Sequence, residues 1–309
     1  GPLGWECAGM TSDGAPEVVL DGLSFLEGPR WHDGRLWVSD FYTESVIATD
    51  GRGSSEVVAR VPQQPSGLGF LPDGRALIVS MRDRRILRRE PDGELVVHAD
   101  LATQVAPVLN DLIVDADGHA YVGNFGFDLM AGGLPVATTL WHVAPDGTAR
   151  TVAEDLWFPN GMVITADRVL VVAESFGGRL TAFDIAEDHG LTNRRPWAEF
   201  GTPAAPSQDA EAMLGALDVV PDGICLDEEG AIWVADATHA RVVRVREGGT
   251  ILDEVSTAPL GVFACMLGGD DGRTLFMCAA PSFAEHERRP VREAQLLAAR
   301  VDVAHAGLP

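Results

Sequence analysis

Four oxygen-bearing side chains, Glu27, Asn110, Asn160 and Asp222, recur at one place in an internal repeat of this chain. Each lies seven residues before an acidic turn residue, six in the case of Glu27. Carboxylates and carboxamides gathered at one depth, with no His or Cys among them, are donors for a hard cation, Ca²⁺ before any other. Mg²⁺, Mn²⁺ and Zn²⁺ are the substitutes to consider. Two carboxylates held together without a counter-ion repel and shift one another's pKa values, and a cation removes that cost. Four side chains leave Ca²⁺, which takes about 6–8 oxygens, with open positions for water and substrate. Open positions are what a catalytic metal needs. A lone Asn in a Pro-Asn-Gly context is ordinarily a turn or cap residue. The shared register is what lifts Asn160 out of that reading.

The elements that must position these groups are strands. An apolar strand, an acidic or Gly turn and a second apolar strand recur six times: "EGPRWHDGRLWVSD", "SGLGFLPDGRALIVSM", "NDLIVDADGHAYVGNF", "NGMVITADRVLVVAES", "DGICLDEEGAIWVADA" and "ACMLGGDDGRTLFMCA". The turns begin at Asp33, Asp73, Asp117, Asp167, Glu229 and Asp271, at intervals of 40, 44, 50, 62 and 42 residues. One or two further strands follow most copies. Four strands per unit at this period predict the blades of an all-β, six-bladed β-propeller. "PEVVLDG" near the N-terminus would complete the last blade beside "QLLAARVDV". The innermost strands line the central channel, so Glu27, Ser66, Asn110, Asn160, Asp222 and Ala264 fall on one ring. Helical periodicity is clear only in "SQDAEAMLGAL", within the longest interval, which reads either as a short lid helix over one face or as a tolerated insertion.

Composition narrows the class. Of 309 residues, 46% are hydrophobic and 22% charged, a globular balance. No apolar run approaches the roughly 20 residues that span a bilayer. The net charge of −23 disfavours nucleic acid and anionic membrane, leaving a small molecule as the expected partner. "GPLGWECAGM" reads as an expression-tag remnant ending at a natural start, Met10, so residues 10–309 are expected to form one propeller domain. Cys225, Cys265 and Cys278 remain, without a CxxC; buried free thiols and a cytoplasmic, reducing compartment are expected. Cys265 and Cys278 lie symmetrically about the "GGDDGR" turn and are candidates for cross-strand neighbours.

"FLEGPRW", "NDLIVDADG", "FPNGMVIT" and "PDGICLDEEGAIWVADA", in that order, resemble the senescence-marker-protein/gluconolactonase/luciferin-regenerating-enzyme family of six-bladed propellers. The resemblance covers most of the chain after Met10 and implies hydrolysis of a lactone or related ester at a channel-bound divalent cation. Carried over by position, Glu27, Asn160 and Asp222 match the family's core metal ligands. Asn110 matches an Asn that contacts metal or substrate, and is a direct ligand in the similar diisopropyl fluorophosphatase. Asp222 matches the acid proposed as general base or nucleophile. Sugar-lactone-hydrolysing members carry an Arg two residues before that Asn; here Val108 stands instead, which disfavours gluconolactone itself.

Loops joining the second and third strands of each blade open on the face where the first strands begin, so they should wall the site. They place Phe41, Tyr42, Phe125, Phe127, Phe176 and Phe283 there, and Trp157 and Phe158 immediately precede Asn160. Part of this set serves blade packing; the remainder predicts an apolar or aromatic substrate, in keeping with Val108. His239 and His286 are candidate proton shuttles, Arg82 a candidate substrate-orienting group, and Glu174 a candidate for orienting a ligand. Competing readings keep the site but change the electrophile, to a phosphotriester or to isomerisation or ring-opening of a natural product. A non-catalytic binding scaffold and a metal-free cyclase remain as further alternatives, both disfavoured by the ligand ring.

Overall fold

The computed structural model describes residues 15–205 and 209–307. The expectations about residues 1–9 and about Ser207 fall outside the described residues. Six four-stranded antiparallel sheets are arranged so that the innermost strand of each touches the next and the sixth touches the first. Those strands are Leu26–His32, Pro65–Phe70, Leu109–Val114, Pro159–Ile164, Pro221–Leu226 and Gly261–Gly268, and they number the blades 1 to 6. This is the six-bladed propeller that the repeat predicts.

Burial explains the composition of each strand. The second strands Arg35–Asp40, Ala76–Ser80, Ala120–Asn124, Val169–Glu174, Ile232–Asp236 and Thr274–Ala280 are packed on both faces and read as continuous Val, Ile, Leu and Ala runs. Outermost strands such as Ser55–Arg60 face water and alternate with charge. Two-residue turns suit the twist of the pairs: Asp33 and Gly34 both have positive φ and join His32 to Arg35. The ring closes through chain ends, as expected. Strand Glu17–Leu23 pairs antiparallel with Ala294–Arg300 and completes blade 6.

Among the described residues, Cys225, Cys265 and Cys278 are buried and free. Cys265 and Cys278 are not cross-strand partners, because the register sets Cys265 opposite Met277 and Cys278 opposite Ala264. Adjacent side chains on a strand point to opposite faces, so Cys265 turns toward blade 5 instead, with Sγ 3.9 Å from Cys225 Sγ. Helix α1, Ala210–Gly215, is shorter than the predicted segment; Asp209 caps it by accepting from Ala212 N at 2.8 Å. A second short helix, α2, spans Glu285–Arg288. Among the described residues no helix is long and apolar enough to cross a membrane.

Candidate active site

Every innermost strand carries a one-residue register shift at the ring. The shifts fall between Glu27 and Arg30, Pro65 and Leu68, Leu109 and Leu112, Pro159 and Met162, Pro221 and Ile224, and Val262 and Ala264. A β-bulge bends the strand and re-aims a side chain, which is how consecutive strands converge on one channel. Glycine follows the ring residue in four blades because the backbones approach too closely for anything larger. A Cβ at Gly161 would lie 2.6 Å from Ile224 N, and one at Gly67 would lie 2.4 Å from Leu112 N. In blade 3 that position is Asp111 instead.

Glu27, Asn110, Asn160 and Asp222 line one pocket and are all buried. Asn160 Nδ2 donates to Ser175 Oγ at 3.3 Å, and Ser175 Oγ donates to the Pro221 carbonyl at 2.7 Å. Asn110 Nδ2 donates to the Pro159 carbonyl at 3.4 Å. Asn160 Oδ1 and Asp222 Oδ1 have no hydrogen-bond partner although both are buried. Buried polar atoms are normally paired, so two orphaned oxygens in one cavity fit a bound cation. The all-oxygen donor set fits a hard one.

The charge balance points the same way. Burial pushes the Glu27 carboxyl well above the usual carboxylate range, and the charges of Asp222 and Asp111 push it further, against one N–H from Gly28 at 3.2 Å. Burial and Asp111 likewise push Asp222 well up, against the Asn160 side chain and Gly223 N–H. Asp111 is raised by burial and held back by Arg30. The Arg30 guanidinium lies in the channel, donating to the Leu68 carbonyl at 3.0 Å and the Leu112 carbonyl at 2.9 Å. Among the described residues no Lys or Arg forms an ion pair with Glu27 or Asp222. A divalent cation would supply what those two carboxylates lack.

A further set of buried acids holds the chain as it enters the ring. Asp40 accepts from Phe25 N at 2.9 Å, Glu174 from Trp157 N at 2.9 Å, and Asp236 from Val220 N at 2.9 Å. Each contact sits two or three residues before a ligand candidate. Glu174, which has no exposed side-chain surface, is also ion-paired to Arg179 at 2.8 Å.

Of the expected wall residues, Phe41, Phe125, Phe176 and Phe283 line the pocket. Phe127 stands behind them, edge-on to Phe158 and Phe176, with centroids at 5.9 and 5.5 Å. Tyr42 is buried beneath the Arg289 guanidinium rather than in the lining. Val108 and Trp157 are partly buried against the adjoining core. Three polar residues expected there are kept out of the pocket as well. The Arg82 guanidinium is taken up by Glu285 and Gln64 outside the lining. His239 turns to Asp236 at 2.8 Å, and His286 stands 82% exposed on α2. Their loops lie on the correct face, but Arg82 is drawn to other segments, His239 to an acid of its own loop and His286 to solvent.

Sequence reasoning missed Phe25, Ser175, Val220 and Phe263 in the lining, together with Leu129, Met130 and Leu214. Phe25 and Val220 were within reach, since both stand two residues before a ring position, as Phe158 does. Arg30 and Asp111 carried no such signal, because their roles come from neighbouring blades. The space left among these groups is about 70 Å³, room for a few water molecules.

Residues 25–281 match the family described as the SMP-30/gluconolactonase/LRE-like region. The chain is 28% identical to pentonolactonase XacC of Haloferax volcanii, over 85% of this chain and 84% of that one. It is 24% identical to the 6-deoxy-6-sulfogluconolactonase of Pseudomonas putida, over 85% and 86% respectively. Among solved structures it resembles a calcium-binding protein, regucalcin, from Agrobacterium tumefaciens, with a TM-score of 0.75 at 18% identity, covering 96% of each chain. That likeness concerns the fold.

Proposed function

Because the chain belongs to the SMP-30/gluconolactonase/LRE-like family, we propose that it is a divalent-metal-dependent lactonase for a lactone or related ester with an apolar or aromatic body. The pentonolactonase and sulfogluconolactonase likenesses support the reaction class. The observation that carries the reading is the pair of orphaned oxygens, Asn160 Oδ1 and Asp222 Oδ1, at the base of a phenylalanine-lined pocket. Glu27, Asn110, Asn160 and Asp222 would hold the ion, and their donor type selects Ca²⁺. A hard cation bound there supplies Lewis-acid polarisation of an ester carbonyl.

The chain's own groups do the rest. Asp222 takes a proton from the attacking water or attacks the carbonyl itself. Ser175 holds the Asn160 amide so that its oxygen faces the channel. Phe25, Phe41, Phe125, Phe158 and Phe176 exclude water and cover the apolar part of the substrate. Val108 stands where the sugar-lactone pattern has an Arg, which separates this chain from that pattern.

The test compares dihydrocoumarin with gluconolactone, using the calcium-loaded chain, the chelated chain and Asp222→Ala. Turnover of the aromatic lactone should exceed that of the sugar lactone and fall at least 100-fold on chelation and in the variant. Undiminished turnover after complete metal removal would overturn the metal-dependent reading, and a preference for gluconolactone would overturn the substrate class.

A further inference from the structure

On the face opposite the pocket, three histidines from two blades meet. His119 stands in the turn between the first two strands of blade 3. His142 is the penultimate residue of the third strand of that blade, opposite Tyr121. His189 stands in the turn between the last two strands of blade 4, Arg179–Ile185 and Leu191–Glu199. One ring nitrogen from each lies within 4.8 Å of the others. His119 Nδ1 and His142 Nε2 are 2.8 Å apart, and the His119 and His189 rings stack at 3.4 Å. Tyr121 OH donates to the His189 carbonyl at 2.8 Å and holds the blade 4 turn against blade 3.

We propose that His119, His142 and His189, together with the Asp115 carboxylate, form a second metal site, selective for a transition metal of the Zn²⁺ class, that clips blade 3 to blade 4. The second observation is a pair of unsatisfied groups aimed into the cluster. Asp115 is 5% exposed; its Oδ1 accepts from Asp117 N and His119 N, while Oδ2 has no hydrogen-bond partner. His189 Nδ1, 3.7 Å from that oxygen, also has none. The one contact between His119 and His142 leaves both orphans unexplained, whereas a cation held by the imidazoles would place a positive charge beside the Asp115 oxygen that neighbours His189 and draw it in. Metal–nitrogen bonds of about 2.0–2.1 Å in a tetrahedron set nitrogens roughly 3.4 Å apart. Closing on a metal requires the nitrogens, within 4.8 Å of one another, to take that spacing and the stacked His119 and His189 rings to turn until their in-plane lone pairs converge.

Donor chemistry separates this site from the channel. Three imidazoles and one carboxylate suit Zn²⁺, Ni²⁺ or Cu²⁺ and are poor ligands for Ca²⁺. Arg150, which donates to the Asp188 carbonyl at 2.6 Å, and Arg168 act on the cluster as well as Asp115 and Asp117. Selection thus rests on the imidazoles rather than on a general negative field. The site would act as an inter-blade staple, since the pocket opens on the other face.

The test uses the full chain, stripped by chelation and then held in excess Ca²⁺, titrated with Zn²⁺ by calorimetry and checked by metal mass spectrometry. One Zn²⁺ per chain is expected at micromolar affinity or tighter, weakened at least tenfold in His189→Gln and in His119→Gln, and unchanged in Asp222→Asn. Co²⁺ in place of Zn²⁺ should give the intense visible bands of a tetrahedral nitrogen-rich site in the wild type, a readout that does not depend on any variant folding. Absence of Zn²⁺ binding in the presence of Ca²⁺ would overturn the proposal. So would Zn²⁺ lost with Asp222→Asn and kept in both histidine variants, or a weak octahedral Co²⁺ spectrum.

Discussion

Asn160 Nδ2 donates to Ser175 Oγ at 3.3 Å, while the Ser175 hydroxyl spends its only proton on the Pro221 carbonyl at 2.7 Å. A serine whose hydrogen is committed can only accept, so it faces the nitrogen of the amide and not its oxygen. Asn160 Oδ1 is thereby directed into the channel. Ser175→Ala removes this constraint without touching the proposed ligands. Calcium affinity should fall about 10–100-fold, while folding stability drops by only about 1 kcal/mol. Calorimetric titration beside thermal unfolding separates the two effects, and an unchanged affinity would show that Ser175 does not set the amide.

Calcium should stabilise the chain through the ring. Binding to the folded state alone adds about 2.7 kcal/mol at a hundredfold excess over Kd, visible as a concentration-dependent rise in Tm. Asp222→Asn removes one of two uncompensated buried carboxylates. In chelator its Tm should equal or exceed that of the wild type, whereas in calcium it should fall below. A variant less stable than wild type under both conditions would place the worth of Asp222 in packing.

Glu174 ties the Trp157 amide, three residues before Asn160, to the second strand of blade 4. Glu174→Ala leaves the Trp157 N–H and the Thr181 hydroxyl without their acceptor, at a cost of about 1–3 kcal/mol each when buried. Stability to urea should drop by a few kcal/mol and calcium affinity should weaken with it. Stability falling while calcium affinity holds would limit Glu174 to a structural role.

Leu214 of α1 reaches the pocket from the lid helix, yet it is only partly buried. Leu214→Glu sets a carboxylate against the phenylalanine wall at small cost to folding. The KM for an aromatic lactone should rise about tenfold, equivalent to roughly 1.4 kcal/mol, with calcium affinity unchanged. Equal KM values would mean that α1 does not cover the substrate.

His98, in the outer strand Leu95–Asp100, is buried, and burial together with the Arg88 and Arg75 charges holds its pKa below the ordinary value. Arg88 Nη1 faces His98 Nδ1 at 3.4 Å, a contact that favours the neutral ring. The unfolded chain therefore binds the proton more readily. The stability contribution is present above the unfolded-state pKa, about 6.5, and is lost as pH falls through that value toward the folded one. The fall in Tm between pH 7 and pH 5 should be shallower in His98→Gln; parallel curves would remove His98 as a source of the acid sensitivity.

The chain declares its ring openly because a propeller repeats. Once the turn acids are aligned, Glu27, Asn110, Asn160 and Asp222 fall into one register, and any closed set of blades must bring them to a common depth. Phe41, Phe125, Phe176 and Phe283 follow from the same alignment, since the loop face is fixed by strand direction. Where alignment ends, so does legibility. The bulge in each innermost strand is a local twist that no residue type announces, and it is the bulge that re-aims the ring side chains.

Arg82, His239 and His286 lie on the expected face, yet Glu285, Asp236 and solvent, respectively, turn them from the pocket. Asp111 and Arg30 meet across three blades, and His119, His142 and His189 meet across two, through contacts between residues up to 82 positions apart. Sequence by itself therefore determined the fold, the ligand candidates and the face on which they open, because periodicity is a one-dimensional property. Tertiary structure alone decided which side chains are satisfied and which are left without partners, because hydrogen bonding and burial depend on neighbours that periodicity does not specify.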